Sequence, residues 1–236
     1  DLPAMLKTIF FHANAAGDPR KAPIKIFGPD QGVGATFPAP NDDITQYPTT
    51  TEFVNKEFSI EDGGVYRYLH AFAPPVTNGE FHVQATDLPA DFQSLHSLHT
   101  VLEDDGLSVK SIPVKHGPAP AVAYRIEYKG KSIVFSGDTN SETNNMVQIA
   151  TDADLLIYDT AVLDNAPANP VLFQLHTKPT RMGEVAAAAN PDTLVLSHIT
   201  GVTEGHLDEV KKAVKAQGYR GKIRAARDLQ VYNLGD

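Results

Sequence analysis

In the second half of the chain, short apolar runs of strand length alternate with segments whose apolar residues recur at helical spacing. This alternation constrains the fold more than any other feature. Three runs, at residues 132–135, 155–158 and 193–196, are mostly apolar and lack polar alternation. Such runs indicate strands that are buried on both faces. Between them, at 142–150 and 182–189, apolar residues recur at helical spacing. The pattern therefore predicts an α/β fold with a largely parallel sheet.

An extended segment and a hairpin precede this alternation. Val114 and His116 share one face of the extended segment, because side chains alternate along a strand. The imidazole of His116 is thus expected where the apolar run ends. Residues 122–128 alternate as a second strand, and Lys129-Gly130 supplies a two-residue turn in which glycine can take a positive φ.

Residues that can bind a metal or move a proton follow three of the predicted strands. Asp138, Asp159 and His198 come at or just after the ends of the buried runs. A single such residue is more often a turn or capping residue, but the ends of neighbouring parallel strands meet at one edge of a sheet. Oxygen and imidazole ligands suit zinc, manganese or iron, and a carboxylate shared by two ions would suit a binuclear site that makes hydroxide from water.

Composition limits the classes of function. The chain has 236 residues, 42% of them hydrophobic, and we predict a single domain over residues 1–236. Its net charge of -9 disfavours nucleic acid as a partner, and the absence of cysteine excludes disulfides and thiolate metal sites. No apolar run is long enough to span a bilayer, so no membrane partner is predicted.

The first half of the chain is less informative. Residues 28–55 contain no Lys or Arg, and their Gly, Pro, Asn and Thr content predicts a long irregular loop that could cover a site. Residues 65–72 carry the apolar stripe of a helix. His96 and His99 could share one helical face as a ligand pair, but no third ligand lies nearby, and we predict packing or surface roles for both.

Five segments in the second half resemble a known family. In order they are KHGPAPAVAYRIEYKGKSIVFSGDT, LLIYDTAV, HTKPTRMGEVAAAA, TLVLSHIT and IRAARDLQVYNL, and together they resemble the second half of the metallo-beta-lactamase superfamily, nearest to its ribonuclease Z-like branch. The opening DLPAMLKTIFF and the later IKIFGPDQG resemble the helix and strand that follow the first metal motif of that family. The resemblance implies a four-layer αββα sandwich with a two-metal hydrolytic centre, in which zinc is expected and manganese or iron are alternatives.

The resemblance also implies roles for individual residues. His116 would bind the first metal, Asp138 would bridge both metals, and His198 would bind the second. His176 corresponds to the histidine that assists at the scissile phosphate or the leaving group. Asp159 stands where the branch usually has a glutamate that pairs with this histidine.

One family motif is absent from these residues. No His-x-His-x-Asp-His cluster occurs in the sequence, although the family places one immediately before the helix with which this chain opens. Because the chain also does not begin with Met, we interpret it as an N-terminally incomplete sandwich that lacks an upstream segment. We therefore expect incomplete metal binding and no activity from the chain alone. A lost signal peptide would favour a periplasmic or secreted location over a cytoplasmic one.

The function predicted for the parent protein is hydrolysis of a small phosphodiester or related ester through metal-bound hydroxide. One alternative is a transfer RNA 3′-processing endonuclease of the ribonuclease Z type. It is ranked lower because that branch binds RNA through a basic, glycine-rich arm, whereas residues 28–55 carry no basic side chain. The other alternative is a catalytically inactive binding or assembly module with the same fold. The oligomeric state is left open, with a homodimer as one option.

Overall fold

The computed structural model describes residues 2–15, 23–32, 47–58, 83–165 and 170–234. The chain divides into two compact units. The first contains residues 1–30 and 48–87, and the second contains residues 31–47 and 88–236. This division does not decide between one domain and two, and the single domain stays a prediction.

The first unit contains two helices and a two-stranded sheet. Its elements are α1 (Leu2–Ala15), β1 (Ile24–Pro29), α2 (Thr50–Phe58) and β2 (Val83–Leu88), and β1 pairs with β2. Leu6 of α1 and the side chains of Val54 and Phe58 on α2 form its buried cluster. Apolar residues of both strands pack against this cluster. Burial of each large apolar side chain contributes roughly 1.5–3 kcal/mol.

Helix α2 corrects the prediction of an irregular loop that reaches residue 55. The Thr49 hydroxyl accepts a hydrogen bond from the Glu52 backbone N–H at 3.1 Å, and the Glu52 carboxylate accepts one from the Thr49 backbone N–H at 2.9 Å. This is the reciprocal capping box that starts a helix. Residues 33–46 of the predicted loop and the predicted helix at 65–72 lie outside the described residues.

The second unit contains a seven-stranded sheet in which the strands are ordered as they occur in the sequence. The first four strands pair antiparallel, and the last four pair parallel. The strands are β3 (His99–Asp104), β4 (Leu107–His116), β5 (Ala119–Tyr128), β6 (Lys131–Phe135), β7 (Leu155–Asp159), β8 (Thr193–Ser197) and β9 (Lys222–Ala225).

Helices connect the parallel strands and supply half of the core. They are α3 (Asn145–Ala150), α4 (Leu172–Leu175), α5 (Pro179–Ala189) and α6 (Leu207–Ala216), with a short 3₁₀ turn, Glu204–His206, before α6. Met146, Met182 and Val210 from three of these helices are fully buried against strand residues such as Leu156 and Leu194. Among the described helices, none combines the length and the apolar run that a membrane span needs.

Two of the three hairpin turns in the antiparallel half of the sheet have positive φ at both turn residues. Lys129 and Gly130 take φ of 50° and 73° between β5 and β6, which confirms the predicted turn. Asp105 and Gly106 take φ of 42° and 80° between β3 and β4, although the sequence prediction contained no strand at β3. His99 begins β3, so the idea that it shares a helical face with His96 is wrong.

Three smaller expectations are also corrected. The sequence predicts a last strand over residues 222–232, but β9 ends at Ala225, and only the Ala226 N–H beyond it still donates to β8, to the Leu196 carbonyl oxygen at 2.8 Å. Helix α3 begins at Asn145, three residues later than expected. Phe135, at the end of a strand predicted to be buried on both faces, keeps 40% of its surface exposed.

Candidate metal centre

The ends of four strands bring the predicted site residues to one edge of the sheet. Strand β5 is antiparallel to both β4 and β6, and β6, β7 and β8 are parallel, so β4, β6, β7 and β8 all finish at the same edge. His116 and Asp159 are the last residues of β4 and β7. Asp138 follows β6, and His198 directly follows β8.

Four of the predicted residues form a compact group. Asp138, Asp159, His176 and His198 each offer one ligand atom, and these atoms all lie within 4.8 Å of one another. His198 Nε2 lies 3.4 Å from Asp138 Oδ2. The predicted ligand His116 is not part of this group, but its ring centroid lies 5.4 Å from that of His176. The structure thus places all five residues at one edge, while their individual roles stay predictions.

Backbone geometry at the edge is constrained. Gly137 has φ of 59°, and a Cβ at this position would lie 3.3 Å from the Val122 carbonyl oxygen, so both conformation and space favour glycine before Asp138. His198 adopts φ of 52°, a left-handed conformation that costs a non-glycine residue free energy. Such strain is typical of a side chain held in place for function.

Asp159 orients His176. The Asp159 carboxylate accepts a hydrogen bond from His176 Nδ1 at 2.9 Å, and both side chains are buried. This bond raises the pKa of His176 above its ordinary value, and burial, which lowers the pKa, offsets the rise only in part. The negative charges of Asp159 and Asp138 raise it further. The pair therefore favours an imidazolium that keeps a proton on Nε2.

His116 is oriented in a different way. Its Nδ1 lies 2.8 Å from the Leu175 carbonyl oxygen, and because a carbonyl oxygen only accepts hydrogen bonds, Nδ1 must carry the proton. Nε2 then holds the lone pair that a metal ion requires. Gly117, at φ of 56°, allows this approach, since a Cβ there would lie 2.7 Å from Leu175 Cδ2.

A buried hydroxyl cluster joins the segments that carry Asp138 and His176. Ser141 Oγ lies 2.6 Å from the Tyr158 hydroxyl and 2.8 Å from Thr177 Oγ1. Thr177 Oγ1 also donates to the Thr139 carbonyl oxygen. Burial raises the pKa of Tyr158 to about 12, so this hydroxyl stays protonated. Ser141 itself has φ of 54°, so the cluster holds a strained backbone in place.

Further hydrogen bonds tie the other site segments together. The Asn140 N–H donates to the Lys115 carbonyl oxygen at 2.9 Å, which links the Asp138 loop to the end of β4. Thr203 Oγ1 donates to the Thr160 carbonyl oxygen at 2.8 Å, and Thr200 Oγ1 donates to that of Ala161 at 2.9 Å. These two bonds fix the loop after His198 against the chain that follows Asp159.

The sequence prediction did not identify these supporting hydroxyl groups. Ser141, Thr200 and Thr203 lie in loops, where no periodic pattern reveals which side chain turns inward. The one signal available was the group of Ser and Thr residues that follows Asp138 and His198. His176 likewise follows a helix of only four residues, so the family resemblance was the only signal for it.

The residues fit a divalent cation. The group supplies carboxylate oxygens and imidazole nitrogens, the donors that zinc, manganese and iron accept. Asp159 Oδ1 is buried and has no hydrogen-bond partner among the described residues. A buried oxygen of this kind is costly unless a cation or another donor satisfies it. A cavity of about 170 Å³ opens at the same edge, and its lining includes Asp138, Asp159 and His198.

Sequence comparison identifies the family of the chain. Residues 41–199, more than half of the chain, match the family model for the beta-lactamase superfamily domain. A ribonuclease Z of Mycolicibacterium paratuberculosis (strain ATCC BAA-968 / K-10) is 27% identical over 154 residues, which cover 63% of this chain and 55% of that protein. A putative ribonuclease Z of Mycobacterium tuberculosis (strain CDC 1551 / Oshkosh) is 26% identical over 225 residues, covering 92% of this chain and 85% of that protein. The chain thus spans only about half the length of the first of these relatives.

Solved structures with the same fold agree with this result. Human tRNase Z, short form, superposes with a TM-score of 0.60 at 20% identity, over 100% of this chain and 74% of that one. The metallo-beta-lactamase fold protein YhfI from Bacillus subtilis superposes with a TM-score of 0.55 at 17% identity, over 95% of this chain and 69% of that one. The predicted αββα fold class is therefore confirmed. The chain belongs to the metallo-beta-lactamase superfamily, and its similarity to ribonuclease Z proteins agrees with the branch that the sequence resembles.

Proposed function

We propose that the protein containing this chain is a metal-dependent phosphodiester hydrolase and that RNA 3′-end processing is the first activity to test. The observation that carries the proposal is the buried Asp159–His176 pair beside Asp138 and His198. The names of the curated relatives support RNA as the substrate class. They support it better than they support the small ester that the sequence alone favoured.

In this proposal His176 is the general acid. Its Nδ1–H is engaged by Asp159, so Nε2–H is the proton that can pass to the departing ester oxygen when the phosphorus–oxygen bond breaks. Asp159 holds the ring in this orientation and stabilises the imidazolium before the transfer. The hydrogen bond to Asp159 raises the pKa of His176, and this direction favours the protonated form that a general acid needs.

Asp138, His198 and His116 are the residues that would hold metal. Divalent ions bound there would activate a water molecule, and their positive charge would stabilise the negative charge that develops on the phosphate. The Nδ1–H of His116 is donated to the Leu175 carbonyl, and this bond keeps Nε2 available as a ligand. Metal identity and the number of ions held by this chain alone stay predictions, with zinc expected first.

A small phosphodiester or related ester is the second candidate substrate. It is favoured by the net charge of -9 and by the absence of Lys and Arg between residues 28 and 55. A protein that holds a long RNA needs many phosphate contacts, whereas a small ester needs only the metal centre and its acid.

Hydrolysis assays on the full-length gene product test the proposal. Precursor transfer RNA, bis(p-nitrophenyl) phosphate, an aryl sulfate and a lactone would be offered with zinc or manganese, beside the His176→Ala variant. We expect both phosphodiesters to be cleaved and the variant to lose at least about a hundredfold in rate on precursor transfer RNA, whose departing ribose oxygen needs a proton. If no phosphodiester is cleaved under any metal condition, the proposal is wrong and the inactive binding module replaces it.

A further inference from the structure

We propose that Phe173 and Lys178, here called the rim platform, bind the nucleotide unit next to the scissile phosphate. This inference rests on the proposed phosphodiester hydrolysis and names the part of the substrate that the chain recognises. It assigns a binding role to two residues on either side of His176 that take no part in the metal centre.

The first step of the argument is the direction of the chain at His176. His176 and Lys178 both have extended backbone, with ψ of 151° and 144°. Thr177 between them is fully buried and bonded to Ser141. Because side chains alternate along an extended segment, Lys178 leaves the chain on the same side as His176. Lys178 is therefore expected at the mouth of the site, where it is exposed to solvent.

The second step is the position of Phe173. Helix α4, which carries Phe173, is fixed to the end of β4, since the Gly117 N–H donates to the Gln174 carbonyl oxygen at 2.9 Å and His116 Nδ1 donates to that of Leu175. Phe173 thus belongs to the same rim as His116. The Lys178 ammonium lies 4.2 Å from the centroid of the Phe173 ring, within the range of a cation–π contact.

The third step is charge. Lys115, the other lysine near this edge, is paired with Glu142, whereas Lys178 has no carboxylate partner among the described residues. An unpaired cation is then present beside a centre proposed to cleave phosphodiesters, in a chain of net charge -9. A phosphate is the ligand that would compensate it, and the ring beneath offers a face on which a base can stack.

Together these features fit a nucleoside monophosphate unit. The flexible lysine stem can move its ammonium from the ring to a phosphate without moving the backbone, which exposes the ring to the base. Of the two platform residues, inorganic phosphate would use only the lysine, whereas a nucleotide would use both. This difference separates the proposed site from general attraction of anions.

Binding of adenosine 5′-monophosphate and of inorganic phosphate tests the platform. Each would be titrated into the purified protein with zinc supplied, by calorimetry or by NMR. We expect Phe173→Leu to weaken nucleotide binding about tenfold and to leave phosphate binding unchanged. Lys178→Ala should weaken both, Lys178→Arg should retain both, and Lys212→Ala, an exposed lysine on α6, should change neither.

Three outcomes overturn the inference. The first is that the nucleotide binds no more tightly than phosphate. The second is that nucleotide affinity is unchanged in both Phe173→Leu and Lys178→Ala, and the third is that Lys212→Ala lowers nucleotide affinity as much as Lys178→Ala does. Circular dichroism of each variant shows that the fold is kept. Hydrolysis of bis(p-nitrophenyl) phosphate by the wild type tests the proposed function separately from the platform. The protein can fail to hydrolyse this ester and still bind nucleotide at the platform, or hydrolyse it and bind no nucleotide there.

Discussion

The hydrogen bond between Asp159 and His176 determines which ring nitrogen of His176 remains for chemistry. With Nδ1 held by the carboxylate at 2.9 Å, only Nε2 can face a substrate. His116 is held through Nδ1 as well, but by a carbonyl oxygen, which carries no formal charge. In the proposed function these two histidines have different roles, proton transfer for His176 and metal binding for His116.

Substitution at His176 and at Asp138 should separate these tasks in the full-length protein. His176→Ala should lower turnover of precursor transfer RNA by about a hundredfold or more while metal content is kept, because the departing ribose oxygen needs a proton and the proposal places His176 outside the metal ligands. Asp138→Ala should lose both turnover and metal. Steady-state kinetics and elemental analysis of each purified variant measure the two effects. Loss of metal from the His176 variant would instead show that His176 is a metal ligand.

Removing the hydroxyl of Ser141 should destabilise the fold. In Ser141→Ala the buried Tyr158 hydroxyl and Thr177 each lose a partner, which costs about 1–3 kcal/mol. Denaturant unfolding measures the loss, and Ser97→Ala, an exposed serine, is the control expected within about 0.5 kcal/mol of wild type. Equal stability of the two variants would show that water replaces the missing hydroxyl.

At the scale of elements, the sequence predicted those with a clear apolar pattern and missed the edge strand β3 and the helix α2. The buried strands β6, β7 and β8 and the helix α5 carry clear apolar patterns. The edge strand β3 is largely exposed, so no apolar alternation identifies it. Its Asp105-Gly106 turn was nevertheless a hairpin signal in the sequence, as the Thr49-x-x-Glu52 capping box was a signal for α2.

Contact between helices α5 and α6 depends on Gly183. A Cβ at this position would lie 2.7 Å from the Val214 carbonyl oxygen and 2.8 Å from Val214 Cα, both backbone atoms that cannot turn aside. Gly183→Ala should therefore destabilise the protein by roughly 1–3 kcal/mol through overpacking, even though alanine gains up to about 1 kcal/mol in helix propensity.

The melting temperature and the denaturant midpoint measure this effect. Gly205→Ala is the matched control, since nothing lies within 4 Å of the Cβ that it adds and its φ is not in the left-handed range. A Gly183→Ala variant as stable as wild type would mean that the two helices move apart at little cost.

At the scale of the whole molecule, the strand-end pattern predicted the edge at which the site lies, but not how the loops there are held. Asp138, Asp159 and His198 meet because parallel strands end together, which follows from strand order alone. The hydroxyl groups that fix the loops act between segments far apart in sequence, such as Ser141 with Thr177. No local pattern encodes such contacts, so only the folded chain reveals them.

The distribution of charge over the chain leads to the last prediction, which concerns salt. The net charge of the chain is -9. At the site edge, Lys115 is paired with Glu142, so Lys178 is the lysine that can contact a phosphate there. Binding of precursor transfer RNA by this chain should therefore involve few phosphates. With the one contact from Lys178, affinity should fall only about 3.5-fold between 50 and 200 mM salt, against about 10³–10⁵ for six to ten contacts.

Fluorescence anisotropy with labelled precursor transfer RNA across this salt range measures the slope, and hydrolysis of bis(p-nitrophenyl) phosphate at the same salt concentrations is the control. The small ester needs no extended basic surface, so its rate should change little. Lys178→Ala should reduce the RNA slope by about one contact, because each neutralised phosphate contributes about 0.9 to the logarithmic salt dependence. A steep slope in the wild type that Lys178→Ala leaves unchanged would instead place a basic RNA-binding face elsewhere on the chain, away from the rim platform.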